Sequence, residues 1–263
     1  MEPLKKRTEH RKEPPVNKIT RCANGVIAAD AGALNRLQTA DSASLLLLSD
    51  THGAVDAVRW IFTSVGSACD ACLFAGDGAV DIFSLVREAA AGALTIPPVI
   101  LMAQGNCDSE RYPPVLHNTE EPKPFGLPLY QQKLIAGQRI LLTHGHLYHV
   151  ELDSRKLCMA AENQGCTIAV HGHTHVQNIE SFGSVTAINP GSPLRPRGQS
   201  YGGFAILSLR PAHEEQPAGD TGNPINSLPA ESFGSVQFYR LIQDRSGSYS
   251  AAVHAEYPLR FAE

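Results

Sequence analysis

Long apolar runs are missing from this 263-residue sequence. The strongest, Leu45 to Leu48 and Val99 to Ala103, fall far short of the roughly 20 residues a membrane helix needs, so no membrane association is expected. A basic stretch (Lys5, Lys6, Arg7, Arg11, Lys12) is not followed by the apolar segment of a secretory signal, and the expected location is the cytoplasm. Excess charge of one sign is also lacking. The formal net charge of −4 offers no global basicity for a polyanion, so a nucleic-acid partner is not implied. Cysteines are few: 22, 69, 72, 107, 158 and 166 are too sparse and irregular for a disulfide framework in a chain of this length. Free thiols are expected, and the CxxC pair Cys69/Cys72 has no second pair to complete a zinc ribbon.

What is present reads as an ordinary globular composition, 43% hydrophobic and 18% charged, in a chain long enough for one large domain with appendages. Residues 1–40 are polar and patternless, and are expected to form a flexible N-terminal extension or a partly docked arm, leaving the domain over 41–263. Leu45 to Leu48 reads as a buried strand, and Val55, Val58, Phe62 and Val65 fall at helical spacing. Strands at Cys72 to Phe74 and Pro98 to Ala103 then flank a helix over Val80 to Ala91. This alternation is the rhythm of an α/β fold with a parallel sheet. The Pro-rich segment YPPVLHNTEEPKPFGLP reads as a long loop or lid. Further strands are expected at 139–143, 167–170, 185–188, 204–209, 236–242 and 251–257, with a helix over 154–163. Residues 211–232, rich in Pro, Gly, Ser and Glu, read as a disordered insertion.

Five apolar runs end alike. Leu48 precedes Ser49-Asp50-Thr51-His52, Phe74 precedes Ala75-Gly76-Asp77, and Ala103 precedes Gln104-Gly105-Asn106-Cys107-Asp108. Leu142 precedes Thr143-His144-Gly145-His146, and Val170 precedes His171-Gly172-His173-Thr174-His175. Each places a metal-capable side chain just past a strand's C-terminal end, where open α/β sheets build their sites. Carboxylate, amide and imidazole donors suit Mn, Fe or Zn rather than a thiolate site. Two ions about 3.5–4 Å apart with one bridging carboxylate would use all of them.

D-x-H, G-D, G-N-x-D, H-G-H and G-H-T-H in this order resemble the calcineurin-like metallophosphoesterase superfamily. The strings GNCDSE, LTHGHLY, GHTH and NPGS are similar to its YfcE-like phosphodiesterase branch, with the resemblance extending over about residues 44 to 209. It implies a four-layer αββα fold, in which two mixed β-sheets pack as a sandwich with helices on the outer faces. It also implies that Asp50, His52 and His175 hold one divalent ion, that Asn106, His144 and His173 hold a second, and that Asp77 bridges. Manganese is the expected metal, with zinc, iron, nickel or magnesium as the other candidates. The implied reaction is hydrolysis of small or activated phosphodiesters by a metal-bridging hydroxide. Relatives often form a homodimer or homotetramer.

Cys107 stands where many relatives carry a histidine that assists the leaving group, so that assistance is expected to be weak. Asp108 is expected to orient its neighbours through hydrogen bonds. Asn189 to Ser192 is expected to be a structural turn, while Arg195 and Arg197 read equally as a phosphate grip or a solvated loop. Strand-end turns and helix caps would account for the Asp and Asn residues but not for four histidines. His146 and His171 are expected to be ordinary hydrogen-bonded histidines beside the site, and His10, His117, His149, His213 and His254 surface or loop residues. Two other classes remain open: a non-catalytic Vps29-like scaffold on the same fold, and a metal-dependent binding module.

Overall fold

The computed structural model of the chain describes residue 19 and residues 21–116, 123–210 and 232–260. Strands β1 (Arg21–Ala23) and β2 (Val26–Ala28) form a hairpin, and helix α1 (Ala33–Thr39) follows. Next come β3 (Ala43–Leu48), α2 (Val55–Ser64), β4 (Ala71–Phe74), α3 (Ala79–Ala90) and β5 (Val99–Met102). The short pair β6 (Arg111–Tyr112) and β7 (Phe125–Gly126) leads into β8 (Tyr130–Ile135), β9 (Gln138–Thr143), α4 (Arg155–Glu162) and β10 (Ile168–Val170). The remaining strands are β11 (Gln177–Phe182), β12 (Val185–Pro190), β13 (Gly203–Leu209), β14 (Ser232–Gln243) and β15 (Tyr249–Arg260).

Two mixed sheets carry the architecture. The larger has the order β1-β2-β5-β4-β3-β13-β14-β15 and the smaller the order β11-β12-β10-β9-β8. Strands β3, β4 and β5 run parallel at the centre of the first, and β9, β10 and β12 run parallel in the second.

The leucine run of β3 shows how one strand serves two layers, because successive side chains leave a strand on opposite faces. Leu45 and Leu47 enter the core between the sheets with Leu73, Leu101, Ile140, Leu142 and Val170. Leu46 and Leu48 enter an outer core with Val58, Ile61, Phe62, Ile82 and Val86 of α2 and α3. A strand covered on both faces therefore reads as unbroken leucine rather than as an alternation. On the far side, Leu141, Ala169 and Ala187 of the smaller sheet meet Leu157 and Ala161 of α4. The layers run helices, sheet, sheet, helix, as the four-layer expectation required.

The N-terminal boundary differs from the expectation of a patternless extension over 1–40. Residues 21–39 belong to the fold, since β2 pairs antiparallel with β5 through Val26↔Leu101 and Ala28↔Val99. The overlooked signal was Asn24-Gly25, both with positive φ (47° and 71°), which makes the tight two-residue hairpin between β1 and β2. A side chain at Gly25 would lie 2.5 Å from Met102 O, so only glycine fits against β5. Residues 1–18 and 20 lie outside the described residues, as do 211–231 of the expected insertion. Ser232 is already the first residue of β14. Within the expected lid, β6 and β7 pair with each other, and 117–122 lie outside the described residues. Among the described residues no helix is long and apolar enough to cross a membrane.

Candidate metal centre

The loops that leave the C-terminal ends of β3, β4, β5, β9 and β10 converge in one place. Their backbones are tied together first. Asp50 N–H donates to Gly76 O at 2.9 Å, Ala75 N–H to Leu48 O at 2.8 Å, and Ala103 N–H to Phe74 O at 3.0 Å. Gly172 N–H donates to His144 O at 3.0 Å, which links the two histidine loops. Close approach demands glycine here: a Cβ on Gly105 would fall 2.0 Å from Asp77 Oδ1, and one on Gly172 1.8 Å from Ser49 Oγ.

Asp50, His52, Asp77, His173 and His175 all have positive φ, between 42° and 71°. Residues other than glycine avoid this region because of the Cβ, and they persist there when the surrounding structure over-determines them. The surroundings do so through side-chain clamps. Asp108 accepts backbone N–H groups from Asp77 (2.8 Å), Gly78 (3.1 Å), Ala79 (3.0 Å) and Gly105 (3.0 Å), joining the second and third loops at the start of α3. Asp81 accepts from Thr51 Oγ1 at 2.6 Å and from Gly53 N–H at 2.8 Å, which ties the first loop to α3. Ser192 Oγ donates to Asp50 O at 2.6 Å, and Asn189 Nδ2 donates to Gly172 O and Thr174 Oγ1, each at 2.9 Å.

The functional groups face inward from this frame. Asp50 Oδ1 lies 3.3 Å from His175 Nε2 and 3.9 Å from both His52 Nε2 and His144 Nε2. Asp77 Oδ2 sits between His144 Nε2 at 3.4 Å and His52 Nε2 at 3.7 Å. Asn106 Oδ1 lies 3.1 Å from His144 Nε2 and 2.9 Å from His173 Nδ1. The rings of His144 and His175 are set by main-chain carbonyls: Nδ1–H donates to Ala75 O in one and to Arg195 O in the other, both at 2.7 Å. In the neutral tautomer this leaves each Nε2 as a bare donor to a cation.

Asp50, His52 and His175 form one group whose ligand atoms lie within 4.8 Å of one another, and Asp50, Asp77 and His144 form another. Asp50 Oδ1 is buried without a hydrogen-bond partner, and a buried carboxylate oxygen needs either a donor or a cation. Carboxylate, amide and imidazole donors around that oxygen fit hard or borderline divalent ions.

Electrostatics follow the same layout. Burial raises the Asp77 pKa, but the His144 imidazole and the Cys107 backbone N–H outweigh it and hold the carboxyl well below its usual range. Burial works against protonation of His144, yet Asp77 and Asp50 raise its pKa. His175 is raised by its contact with Asp50, against burial. Burial lowers His173 and His146, and pushes buried His171 down to about 4.

The structure thus brings Asp50, His52, Asp77, Asn106, His144, His173 and His175 together, with Asp108 behind them. Cys107 is exposed at the edge of this group: its N–H donates to Asp77 Oδ1 at 2.7 Å, and its thiol, though largely open to solvent, is pushed up to about 11 by partial desolvation and by the carboxylates of Asp77, Asp108 and Asp50. His171 is buried, with Nδ1 3.1 Å from Gly172 O. His146 packs beside His144 with ring centroids 5.4 Å apart, but its buried Nδ1 has no hydrogen-bond partner, unlike the hydrogen-bonded neighbour expected. His149 and His254 are exposed, whereas His10, His117 and His213 lie outside the described residues. Sequence reasoning missed Asp81, whose one signal is a carboxylate in an otherwise apolar helix start, Ala79-Val80-Asp81-Ile82. It also missed Glu151, whose carboxylate lies 3.3 Å from His149 Nδ1 and 3.9 Å from His173 Nε2.

The sequence pattern of the calcineurin-like phosphoesterase superfamily domain matches residues 44–211, so the chain belongs to that superfamily. The phosphodiesterase YfcE of Escherichia coli K12 is 36% identical over 108 residues, 41% of this chain. That match spans about half (52%) of the E. coli protein. The probable metallophosphoesterase YsnB of Bacillus subtilis is 27% identical over 168 residues, 63% of this chain and 84% of that protein. Among solved structures, an uncharacterised Streptococcus pneumoniae protein superposes with a TM-score of 0.52 and 20% identity over 81% of this chain and 98% of its own. Vacuolar Protein Sorting 29 of Cryptosporidium parvum also gives 0.52, with 17% identity over 82% of this chain and 98% of its own. Both structures share the fold.

Proposed function

We propose that the chain is a dinuclear metal-dependent phosphodiesterase that hydrolyses small or activated phosphodiesters. The observation that carries this reading is the buried, unpartnered Asp50 Oδ1, ringed by the Nε2 atoms of His175, His52 and His144 at 3.3–3.9 Å. Asp50, His52 and His175 hold one ion in this reading, and Asn106, His144 and His173 the other. Asp77 serves both, since its carboxylate lies between His52 and His144. Manganese is the proposed metal, with zinc, iron, nickel and magnesium as the alternatives that the same donors accept.

When bound, two such ions supply a water-derived nucleophile at neutral pH and neutralise the phosphoryl oxygens of an in-line displacement. The chain's own residues supply geometry. Asp108 fixes the loops that carry Asp77 and Asn106, while the carbonyls of Ala75 and Arg195 hold two imidazoles in the tautomer that presents Nε2. Cys107 offers only a thiol, whose sulfur lies within 4.8 Å of the ligand atoms of Asp77 and His52, and a thiol is a weak donor. The departing alkoxide therefore receives little protonation from this position, which favours aryl and other activated esters.

A panel of aryl phosphodiesters and matched monoesters, assayed on protein loaded with each metal in turn, tests the reading. The expected result is metal-dependent turnover, greatest with Mn and with diesters. Tight metal binding with no turnover of any ester would instead support the scaffold or binding-module alternative.

A further inference from the structure

We infer that the loop over residues 193–200 recognises a second anionic group on the substrate, so that the phosphodiester cleaved carries a further phosphate or carboxylate away from the bond that breaks. This inference rests on the phosphodiesterase reading above and deepens it to a substrate class.

The loop is built into the metal centre. Arg195 N–H donates to Ser192 Oγ at 3.0 Å, and Ser192 Oγ in turn donates to Asp50 O at 2.6 Å. Arg195 O accepts the Nδ1–H of His175 at 2.7 Å, and Arg197 N–H donates to His175 O at 3.2 Å. Pro193 and Pro196 fix two φ angles, and Ser200 N–H closes the turn on Arg197 O at 3.2 Å. Both arginine backbones are therefore anchored to residues of the candidate centre.

Their side chains are exposed and have no ion-pair partner among the described residues, whereas Arg36 pairs with Asp30, Arg59 pairs with Asp56 and Glu88, and Arg240 lies over the Tyr201 ring. No Asp or Glu occurs between Pro193 and Tyr201. Arg197 N–H and Arg195 O both bond to His175, so the two arginines branch from backbone beside the centre rather than from a remote surface. Asp50 and His175 are buried, at 0% and 5% exposure, whereas both arginines are exposed, so the loop lies outside the floor where the reacting phosphoryl group would sit. The reacting group, a monoanion, would already have two divalent ions to neutralise it. Two exposed guanidiniums carried by this anchored loop match a second anion, which their fork binds in bidentate fashion.

The test compares thymidine 5′-(p-nitrophenyl phosphate) with its 3′-phosphorylated and 3′-O-carboxymethyl counterparts, in which the broken bond and the leaving group are the same. Wild type, loaded with Mn, is expected to favour the charged esters in kcat/KM by about tenfold or more, and the better of the two identifies the anion. R195A/R197A is expected to bring the ratio of charged to uncharged ester towards one with little change in Tm, and high salt to lower it in wild type. Arg245→Ala, on the exposed β14–β15 turn, leaves the ratio at its wild-type value. A wild-type ratio near one, or an unchanged ratio in R195A/R197A, overturns the inference while leaving the phosphodiesterase reading intact. If no ester is turned over, that reading fails, and calorimetric binding of the 3′-phosphorylated ester decides the inference: equal affinity for wild type and R195A/R197A overturns it.

Discussion

The carboxylate of Asp108 accepts the backbone N–H of Asp77 at 2.8 Å, across the boundary between the loops that follow β5 and β4. Together with its bonds from Gly78, Ala79 and Gly105, this contact makes Asp108 a positioning residue whose effect on the centre passes through other residues. Asp108→Ala would leave several N–H groups unpaired at a crowded junction. The expected loss of stability is roughly 2–4 kcal/mol, with weaker metal binding. Asp108→Asn, which keeps one acceptor oxygen, should fall between. Denaturant unfolding of the three proteins checks the order, and equal stability of Asp108→Ala and wild type would remove the clamp from the account.

Gly172 occupies the point where the last histidine loop crosses Ser49. A methyl group there would lie 1.8 Å from Ser49 Oγ and 2.6 Å from Asp50 Oδ2. Gly172→Ala should therefore displace His173 and Asp50 together and destabilise the fold by about 1–3 kcal/mol. The measurement is metal affinity alongside Tm. A variant with wild-type values for both would show that the loop has slack that the distances deny.

Cys107 allows a test of leaving-group chemistry. General acid assistance is typically worth about 10² to 10⁴ in rate, so wild-type rates should depend steeply on leaving-group acidity. Cys107→His should flatten that dependence and help the poorest leaving groups most. Cys107→Ser, nearly isosteric, should leave the slope close to wild type. Abolished activity in Cys107→Ser at normal metal content would give the thiol a direct chemical role and contradict the account of a weak acid.

Arg210 and Ser232 bond to each other through Arg210 Nε and Ser232 O at 3.2 Å, and Leu209 pairs with Gly234 between β13 and β14. The two ends of the intervening segment therefore meet as the ends of a hairpin. Replacing residues 211–231 by a short Gly-Ser bridge should preserve Tm and turnover per bound metal, because no proposed ligand lies there. A large fall in turnover at unchanged metal content would mean that this segment reaches the site.

The sequence made the central strands and the site legible for the same reason. Leu45 to Leu48 and Cys72 to Phe74 are buried on both faces, so they stand out as unbroken apolar runs, and the polar residues that end them mark the site loops. Strands β8 and β11 were not legible. Tyr130–Ile135 and Gln177–Phe182 form the edges of the smaller sheet, largely outside the core, and carry Gln, Asn, Lys and Glu among few apolar residues. The clamp of Asp81 on Thr51 joins α3 to the loop after β3, thirty residues apart, and leaves no local spacing to read. Nor do the carbonyls of Ala75 and Arg195, because a backbone acceptor has no residue signature.

The central claim is a two-ion centre in which Asp77 is shared. Equilibrium dialysis against Mn followed by elemental analysis tests it most directly, on wild type, Asp77→Ala and His175→Ala side by side. The account predicts two ions per chain in saturated wild type, loss of both in Asp77→Ala, and weakening mainly of one in His175→Ala. A single ion per chain in saturated wild type, or two retained in Asp77→Ala, would contradict it.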